Sequence, residues 1–296
     1  MDSWKVGEVD ITCIVETVLP VEYHEKYPFM REATPAALKQ IPWLYPNYVD
    51  EHGVLKLSIQ ALLLKTPELT MLVDTCIGND KPRKLIGYES LHTNFLETLK
   101  GLNTPREDID IVVCTHLHVD HVGWNTMKQN DQWLPTFPNA RYLIGRQEYE
   151  YWSADTSEDQ LPVMEDSVTP IFDAGLADLV AMDHVISDEI RLLPTPGHTP
   201  GHVSVLIESL GHKAIITGDS MHHPCQIAKP EWAVSFDTDQ EAAISCRKSL
   251  LNDVADEPVL LIGTHFASPA AGRIVREGEG FRLINQKDPV KVDGQT

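Results

Sequence analysis

The chain alternates short apolar runs with polar stretches, and the runs follow two periods. Compact β-branched or apolar runs occur at "VDITCIV", "LSIQALLLKT", "TMLVDT", "IDIVVCT", "ARYLIG", "IRLLPT", "HVSVLIE", "KAIITGD", "PVLLIGTH" and "GRIVREGEGFRLI". Such runs, bounded by turn-forming residues, predict strands. Helical spacing of apolar residues appears near Leu91–Leu102, Arg146–Ser153 and Thr238–Asp253. The stretch "LKLSIQALLLKTPELTMLVDT" predicts a hairpin that turns at Pro67 and Glu68. Strands and helices intermixed in this way predict α/β layers around central sheets. The chain shows no internal repeat.

Pro20 to Gly53 breaks the pattern. It carries Tyr23, Tyr27, Pro28, Phe29, Pro42, Trp43, Tyr45, Pro46 and Tyr48 with no clean period. We read residues 1–296 as one domain with an aromatic, proline-rich insertion at about 20–53. A surface wrap, a lid, a homodimer contact and plain packing against the core all remain open for that insertion.

Composition narrows the functional classes. The 296 residues are 42 % apolar, enough for a large core, and carry a formal charge of −20. An acidic surface repels nucleic-acid phosphates and anionic lipid, so neither is an expected partner. Cys13, Cys76, Cys114, Cys225 and Cys246 are scattered without CxxC spacing. They read as free, buried thiols of a reducing compartment. The opening "MDSWKVGEVDITCIVE" has no basic-then-apolar signal pattern, and no run approaches the ~18 apolar residues of a membrane span. The expected location is the cytoplasm.

The chemistry concentrates in "THLHVDHVGW", Thr115 to Trp124. In an extended turn after a buried strand, residues i and i+2 share a side, so His116 and His118 can hold one ion. If the chain then turns helically, Asp120 and His121 swing toward a neighbouring point. Neutral imidazole and carboxylate suit Zn²⁺, and burying four such groups without a cation would cost several kcal/mol. Further candidates end other strand-like runs: His198 in "TPGHTPGH", Asp219 in "AIITGDS" and His265 in "LLIGTHF".

"HLHVDH", "TPGHTPGH", "TGD" and "GTH", in this order and with "LVDT" before them, resemble the metallo-β-lactamase superfamily over roughly residues 55–285. The resemblance implies a four-layer αββα sandwich of the α/β class, with a two-metal site at one sheet edge. Carried over, His116, His118 and His198 hold the first metal and Asp120, His121 and His265 the second, with Asp219 bridging. Two divalent transition-metal ions follow, Zn²⁺ favoured by donor type, with Mn, Fe and Co accepting the same ligands. The nucleophile implied is a metal-bridging hydroxide, with Asp120 passing a proton to the leaving group. Asp74 reads as a support that hydrogen-bonds a ligand histidine or its loop, and His202 as structural rather than ligating.

Within the superfamily, "TPGHTPGHVSVLI" and the stretch from "GDSMHHPCQ" to "GTHFASPAAGRIVREGEGFR" resemble the N-acyl homoserine lactonase and methyl parathion hydrolase branch. Where the lactonases have a tyrosine three residues after the bridging aspartate, this chain has His222. His222 is a candidate hydrogen-bond donor to substrate; a solvated loop histidine is the plain reading. Trp124, Trp152 and Phe266 each read as core alone, but together would suit a wall for an acyl or aryl group. The expected activity is hydrolysis of small lactones or carboxylic esters. The alternatives are a phosphotriesterase-like hydrolase and a metal-binding sensor without turnover.

Overall fold

The computed structural model describes residues 1–84 and 87–285. In chain order its strands are β1 (Ser3–Val6), β2 (Val9–Val21), β3 (Leu55–Lys65), β4 (Thr70–Val73), β5 (Ile111–Cys114), β6 (Thr126–Gln129), β7 (Gln132–Pro135), β8 (Arg141–Gly145), β9 (Ala177–Val180), β10 (Ile190–Pro194), β11 (Val203–Ser209), β12 (His212–Ile216), β13 (Val259–Ile262), β14 (Ala271–Glu277) and β15 (Gly280–Ile284). One sheet runs β1-β2-β3-β4-β5-β8-β9 and the other β10-β11-β12-β13-β14-β15, while β6 and β7 pair separately.

The period of two along each strand assigns its side chains to layers. Leu62, Leu64, Val73 and Val113 of the first sheet meet Val205, Ile207, Ala214, Ile216 and Ile262 of the second. Ala61, Leu63, Leu72 and Val112 face the other way, onto Phe95, Leu99, Val163 and Ile171. Phe95 and Leu99 lie on the helix Phe95–Gly101, and Val163 and Ile171 on the short helices Leu161–Val163 and Thr169–Asp173. On the far side, Ile215, Leu261 and Ile274 pack with Leu250, Leu251 and Val254 of the helix Gln240–Val254. The layers are therefore helix, sheet, sheet, helix, as the αββα reading requires. β3 is covered on both faces, which explains why "IQALLL" is apolar almost throughout rather than alternating.

Most strand expectations hold, including the β3–β4 hairpin around Pro67 and Glu68. The run "GRIVREGEGFRLI" is corrected: it is two antiparallel strands, β14 and β15, turning at Gly278, where φ is +60°. β6 and β7 carry no apolar alternation and turn on Asn130 and Asp131, both at positive φ. That pair suits an Asn-Asp hairpin turn. Among the described residues, no helix is long and apolar enough to cross a membrane.

The middle of the 20–53 segment is core. Met30, Leu38, Leu44, Tyr48 and Val49 are buried in one cluster with Ile215, Leu261 and Phe266. Trp43 and Tyr45 pack on the edge of that cluster. Trp43 also lines a cleft of about 400 Å³ with Phe281 and Lys229, which holds none of the candidate metal ligands. The leading part of the segment joins that cluster by pairing with residues 234–235. Met30 bridges to Val234, Ser235 N–H donates to the Phe29 carbonyl at 2.9 Å, and its hydroxyl donates to the Pro28 carbonyl at 2.7 Å.

Candidate metal centre

Strand direction brings the candidate residues to one edge. β4 and β5 are parallel, and so are β12 and β13. β10 runs the same way as β12, being antiparallel to β11, which is antiparallel to β12. Asp74 follows β4, His116 follows β5, His198 follows β10, Asp219 follows β12 and His265 follows β13. Every one sits past the carboxyl end of its strand. Chain reversal there needs unusual backbone: Asp74 has φ +60° and Gly218 φ +52°. A Cβ on Gly218 would also stand 2.6 Å from His202 Nε2, so glycine is required before Asp219.

All seven sequence-derived ligand candidates come together. The donor atoms of His116, His118, His198 and Asp219 lie within 4.8 Å of one another, and so do those of Asp120, His121 and His265. In the first group His118 Nδ1 is 3.0 Å from His116 Nε2 and 2.9 Å from His198 Nε2. In the second, His265 Nε2 is 3.2 Å from His121 Nε2. Asp219 stands between the groups. Its Oδ2 is 3.6, 3.4 and 3.3 Å from the Nε2 atoms of His116, His198 and His121, and its Oδ1 is 3.1 Å from His265 Nε2.

The hydrogen bonds behind these rings set their tautomers. His121 Nδ1 is 2.9 Å from Asp74 Oδ2, and His198 Nδ1 is 2.9 Å from Asp237 Oδ1. His265 Nδ1 is 2.8 Å from the Ser58 carbonyl. Carboxylates and carbonyls only accept, so each Nδ1 carries a proton and each Nε2 is the ring atom that faces inward. His116 Nδ1 meets Thr115 Oγ1 at 3.1 Å, and that hydroxyl donates on to Asp74 Oδ2 at 2.9 Å. Asp74 thus supports two candidate ligands and also accepts from Thr115 N–H at 2.8 Å. Its expected supporting role is what the geometry provides.

Inward lone pairs about 3 Å apart are mutually repulsive unless something positive lies between them. Donors ~2.0–2.1 Å from a tetrahedral ion stand roughly 3.3 Å from each other. The observed separations match that spacing, and buried Asp219 Oδ1 makes no hydrogen bond. The donor set therefore fits divalent metal ions in both groups.

The two groups differ electrically. Burial, then the neighbouring imidazoles, hold His116 and His118 well below the ordinary histidine range, and burial with His222 does the same to His198. Burial also opposes charging of His121, but Asp219, Asp74 and Asp120 outweigh it and raise His121 well above its usual range. His265 is raised by Asp219 and Asp120 against the same burial. Burial alone would raise Asp219; the histidines around it hold it well below the usual carboxylate range instead.

His202 supports rather than ligates. Its Nε2 accepts from Asp219 N–H at 2.7 Å, and its Nδ1 is 3.0 Å from the Thr195 carbonyl. Burial lowers it to about 4, so it stays neutral and keeps that accepting lone pair. His222 is 2 % exposed, with Nε2 3.1 Å from Asp219 Oδ2, and neither ring nitrogen makes a hydrogen bond. It is no solvated loop residue. Phe29 and Phe236 flank it at ring separations of 5.9 and 5.4 Å. His198, His222 and Asp237 form a further close group, but Asp237 is already committed to His198 Nδ1.

Of the three aromatics that together would suit a wall, two are core, as each reads alone. Trp124 stacks on Phe95 at 5.5 Å and donates its N–H to Glu16 at 2.6 Å. Phe266 is fully buried beneath Gly263. Trp152 does reach the site, with its ring 5.1 Å from His118. The aromatics beside His222 are instead Phe29, from the insertion, and the half-exposed Phe236.

Three supporting residues carry no signal in the sequence. Buried Glu148 accepts from Leu117 N–H (3.1 Å), Trp152 Nε1 (2.6 Å), Thr199 Oγ1 (2.8 Å) and Gly201 N–H (2.9 Å). It ties the "HLHVDH" loop to the "TPGHTPGH" loop, and burial raises it above the usual carboxylate range. Asp237 orients His198, and Tyr88 donates to Asp120 Oδ2 at 2.9 Å.

Residues 56–265 match the profile of the family described as the metallo-beta-lactamase superfamily. An N-acyl homoserine lactonase of a Bacillus species is 28 % identical over 228 residues, covering 71 % of this chain and 82 % of that protein. N-acyl homoserine lactonase AiiA of Bacillus thuringiensis subsp. kurstaki is 26 % identical over 242 residues, covering 76 % and 88 %. Among solved structures, AidC, a dizinc quorum-quenching lactonase in complex with a product, superposes with a TM-score of 0.81 at 24 % identity, over 97 % of this chain and 98 % of that one. Hydrolase AbOPH superposes with a TM-score of 0.78 at 21 % identity, over 96 % of each chain. With its fold, its donor edge and most of its length in agreement, the chain belongs to the metallo-beta-lactamase superfamily.

Proposed function

We propose that this hydrolase opens lactones or carboxylic esters with two divalent metal ions, Zn²⁺ by donor type. His116, His118 and His198 would hold one ion and Asp120, His121 and His265 the other, with Asp219 shared. The observation that supports this most is the position of Asp219, whose Oδ2 is 3.3–3.6 Å from three imidazole nitrogens and whose Oδ1 is 3.1 Å from a fourth. When bound, paired ions supply an acidified water and polarise a carbonyl.

The chain's own groups orient the substrate and move protons. His222, buried and without a hydrogen-bond partner, donates a ring N–H to the substrate's carbonyl oxygen. Asp120, at 13 % side-chain exposure the most open carboxylate of the donor set, passes a proton to the departing alkoxide. Phe29 and Phe236 give an apolar side to the space before His222, suited to an acyl or aryl group. The lactonase names of the relatives support the lactone choice.

Metal-replete protein assayed against lactones, carboxylic esters, phosphotriesters, thioesters and β-lactams tests this reading. Lactones or carboxylic esters should turn over fastest. Faster turnover of a phosphotriester or β-lactam than of every lactone and ester overturns the choice; tight product binding with no turnover marks a sensor. His222→Phe should lower kcat/KM by about 1–3 kcal/mol, the scale of one buried hydrogen bond. His222→Tyr should retain part of the activity. Indifference to both changes removes His222 from the mechanism.

A further inference from the structure

We propose that Tyr88 is the positioning residue of Asp120, and that it thereby controls ion retention at the second donor group. The inference rests on the reading of Asp120 as a ligand. Each histidine of that group is fixed from behind, His121 by Asp74 and His265 by the Ser58 carbonyl. Asp120 has no such partner in its own loop. Among the described residues, the one hydrogen bond to its side chain is the Tyr88 phenol, 2.9 Å from Oδ2.

The geometry gives that bond a definite effect. Asp120 Oδ1 is 3.6 Å from His121 Nε2, and Oδ2 is 3.7 Å from His265 Nε2. An aspartate on an open turn can rotate about two torsions and can offer a cation one oxygen or both. A phenol that donates to Oδ2 removes this freedom and leaves Oδ1 as the less encumbered donor. Outer groups that orient a ligand in this way typically matter 10–100-fold in metal affinity or activity.

Tyr88 is itself held firmly enough to do this. Its ring packs beside the cluster that contains Phe95 and Trp124. Its loop is closed by Ser90 N–H to the Lys81 carbonyl at 3.0 Å and Asp80 N–H to the Leu91 carbonyl at 3.1 Å. Lys81 Nζ in turn donates to Thr126 Oγ1 at 2.6 Å, anchoring the loop against the β6 ribbon.

Tyr88→Phe keeps the ring and deletes only the donor. Wild type and variant, both loaded with Zn²⁺, would be dialysed against graded chelator, the zinc retained measured, and kcat and KM determined. The variant should lose one of its two ions at 10–100-fold lower chelator strength. Its kcat should fall by a similar factor with KM within about twofold of wild type, and the metal-stripped proteins should unfold at the same temperature. Equal zinc retention by the two proteins overturns the proposal. So does a rise in KM alone, which would make the phenol a substrate contact, or equal destabilisation with and without zinc, which would make it a packing residue. A wild type that retains fewer than two ions sinks the two-metal reading itself, a failure distinct from that of Tyr88.

Discussion

Two of the polar clusters buried among the described residues are built on opposite principles. In one, Arg83 donates to both oxygens of Asp166 at 2.8 and 2.7 Å. Lys81 Nζ donates to Thr126 Oγ1 and to the Asp166 carbonyl, and lies 3.6 Å over the Trp133 ring. The chain supplies both signs of charge, and only Arg83 Nε is left without a partner. In the other, Asp120 and Asp219 face the inward Nε2 atoms of His116, His121, His198 and His265, and among the described residues no lysine or arginine pairs with them. Self-contained pairing marks a cluster that holds the fold together. Converging acceptors with no cation of their own mark one that awaits a cation.

Breaking each cluster at its central carboxylate should separate these roles. Asp219→Ala removes the residue shared by both donor groups, so both ions should be lost. kcat/KM should fall by roughly 10³-fold or more, about 4 kcal/mol, with modest change in the stability of the metal-free protein. Elemental analysis beside kinetics checks it; retention of both ions would show that Asp219 does not bridge. Asp166→Ala leaves Lys81 and Arg83 buried without their carboxylate and should cost about 3–5 kcal/mol in denaturant unfolding. The metal content of the folded fraction should be unchanged, and a variant stable but metal-poor would merge the clusters that we separate.

A smaller effect is expected at His202, which holds the Asp219 backbone and not an ion. His202→Ala should keep both metals and lower kcat less than His198→Ala does. Loss of metal from His202→Ala but not from His198→Ala would reverse the assignment of the two histidines.

Lys81 also gives stability a pH dependence. Burial pulls Lys81 down from 10.5 to about 7, against the opposing pull of Asp166. The unfolded chain then holds this proton up to about 10.5, while the folded chain releases it near 7. Between those values the unfolded state binds more protons, so the contribution of Lys81 to stability rises with pH; below about 7 the burial penalty stands in full. Lys81→Met should abolish the trend. The stability difference, wild type minus variant, should climb from neutral pH toward pH 10 by at most about 1.4 kcal/mol per unit. A flat difference would mean that Lys81 keeps its proton when buried.

The same contrast explains what the sequence made legible. The seven donors could be read because they follow four apolar runs and because histidine and aspartate at those offsets have no packing purpose. Helix and sheet layers could be read because strand and helix periods intermix along the chain, while the αββα order was implied by the family resemblance. Glu148 could not, because Leu117, Thr199 and Gly201 are distant in sequence and the helix position itself looks like an ordinary polar one. Lys81, Arg83 and Tyr88 lie in a stretch with no clear period, and only the tertiary fold shows that these three side chains turn inward. Trp124 and Phe266 are core, as each reads alone; grouped as a wall they do not hold, because proximity in sequence to a motif does not set the direction of a side chain. In the same way, Phe29, Trp43 and Tyr45 of the insertion all pack at the core edge, and Phe29 also reaches His222.

The central claim is that the convergent acceptor cluster holds two ions. The most direct measurement is elemental analysis of protein purified without added chelator, with turnover of a lactone or ester followed as metal is removed and restored. Two transition-metal equivalents per chain should be found, with activity lost on stripping and recovered as the second equivalent returns. Reproducible absence of metal from active protein, or full activity at a single equivalent, would contradict the account.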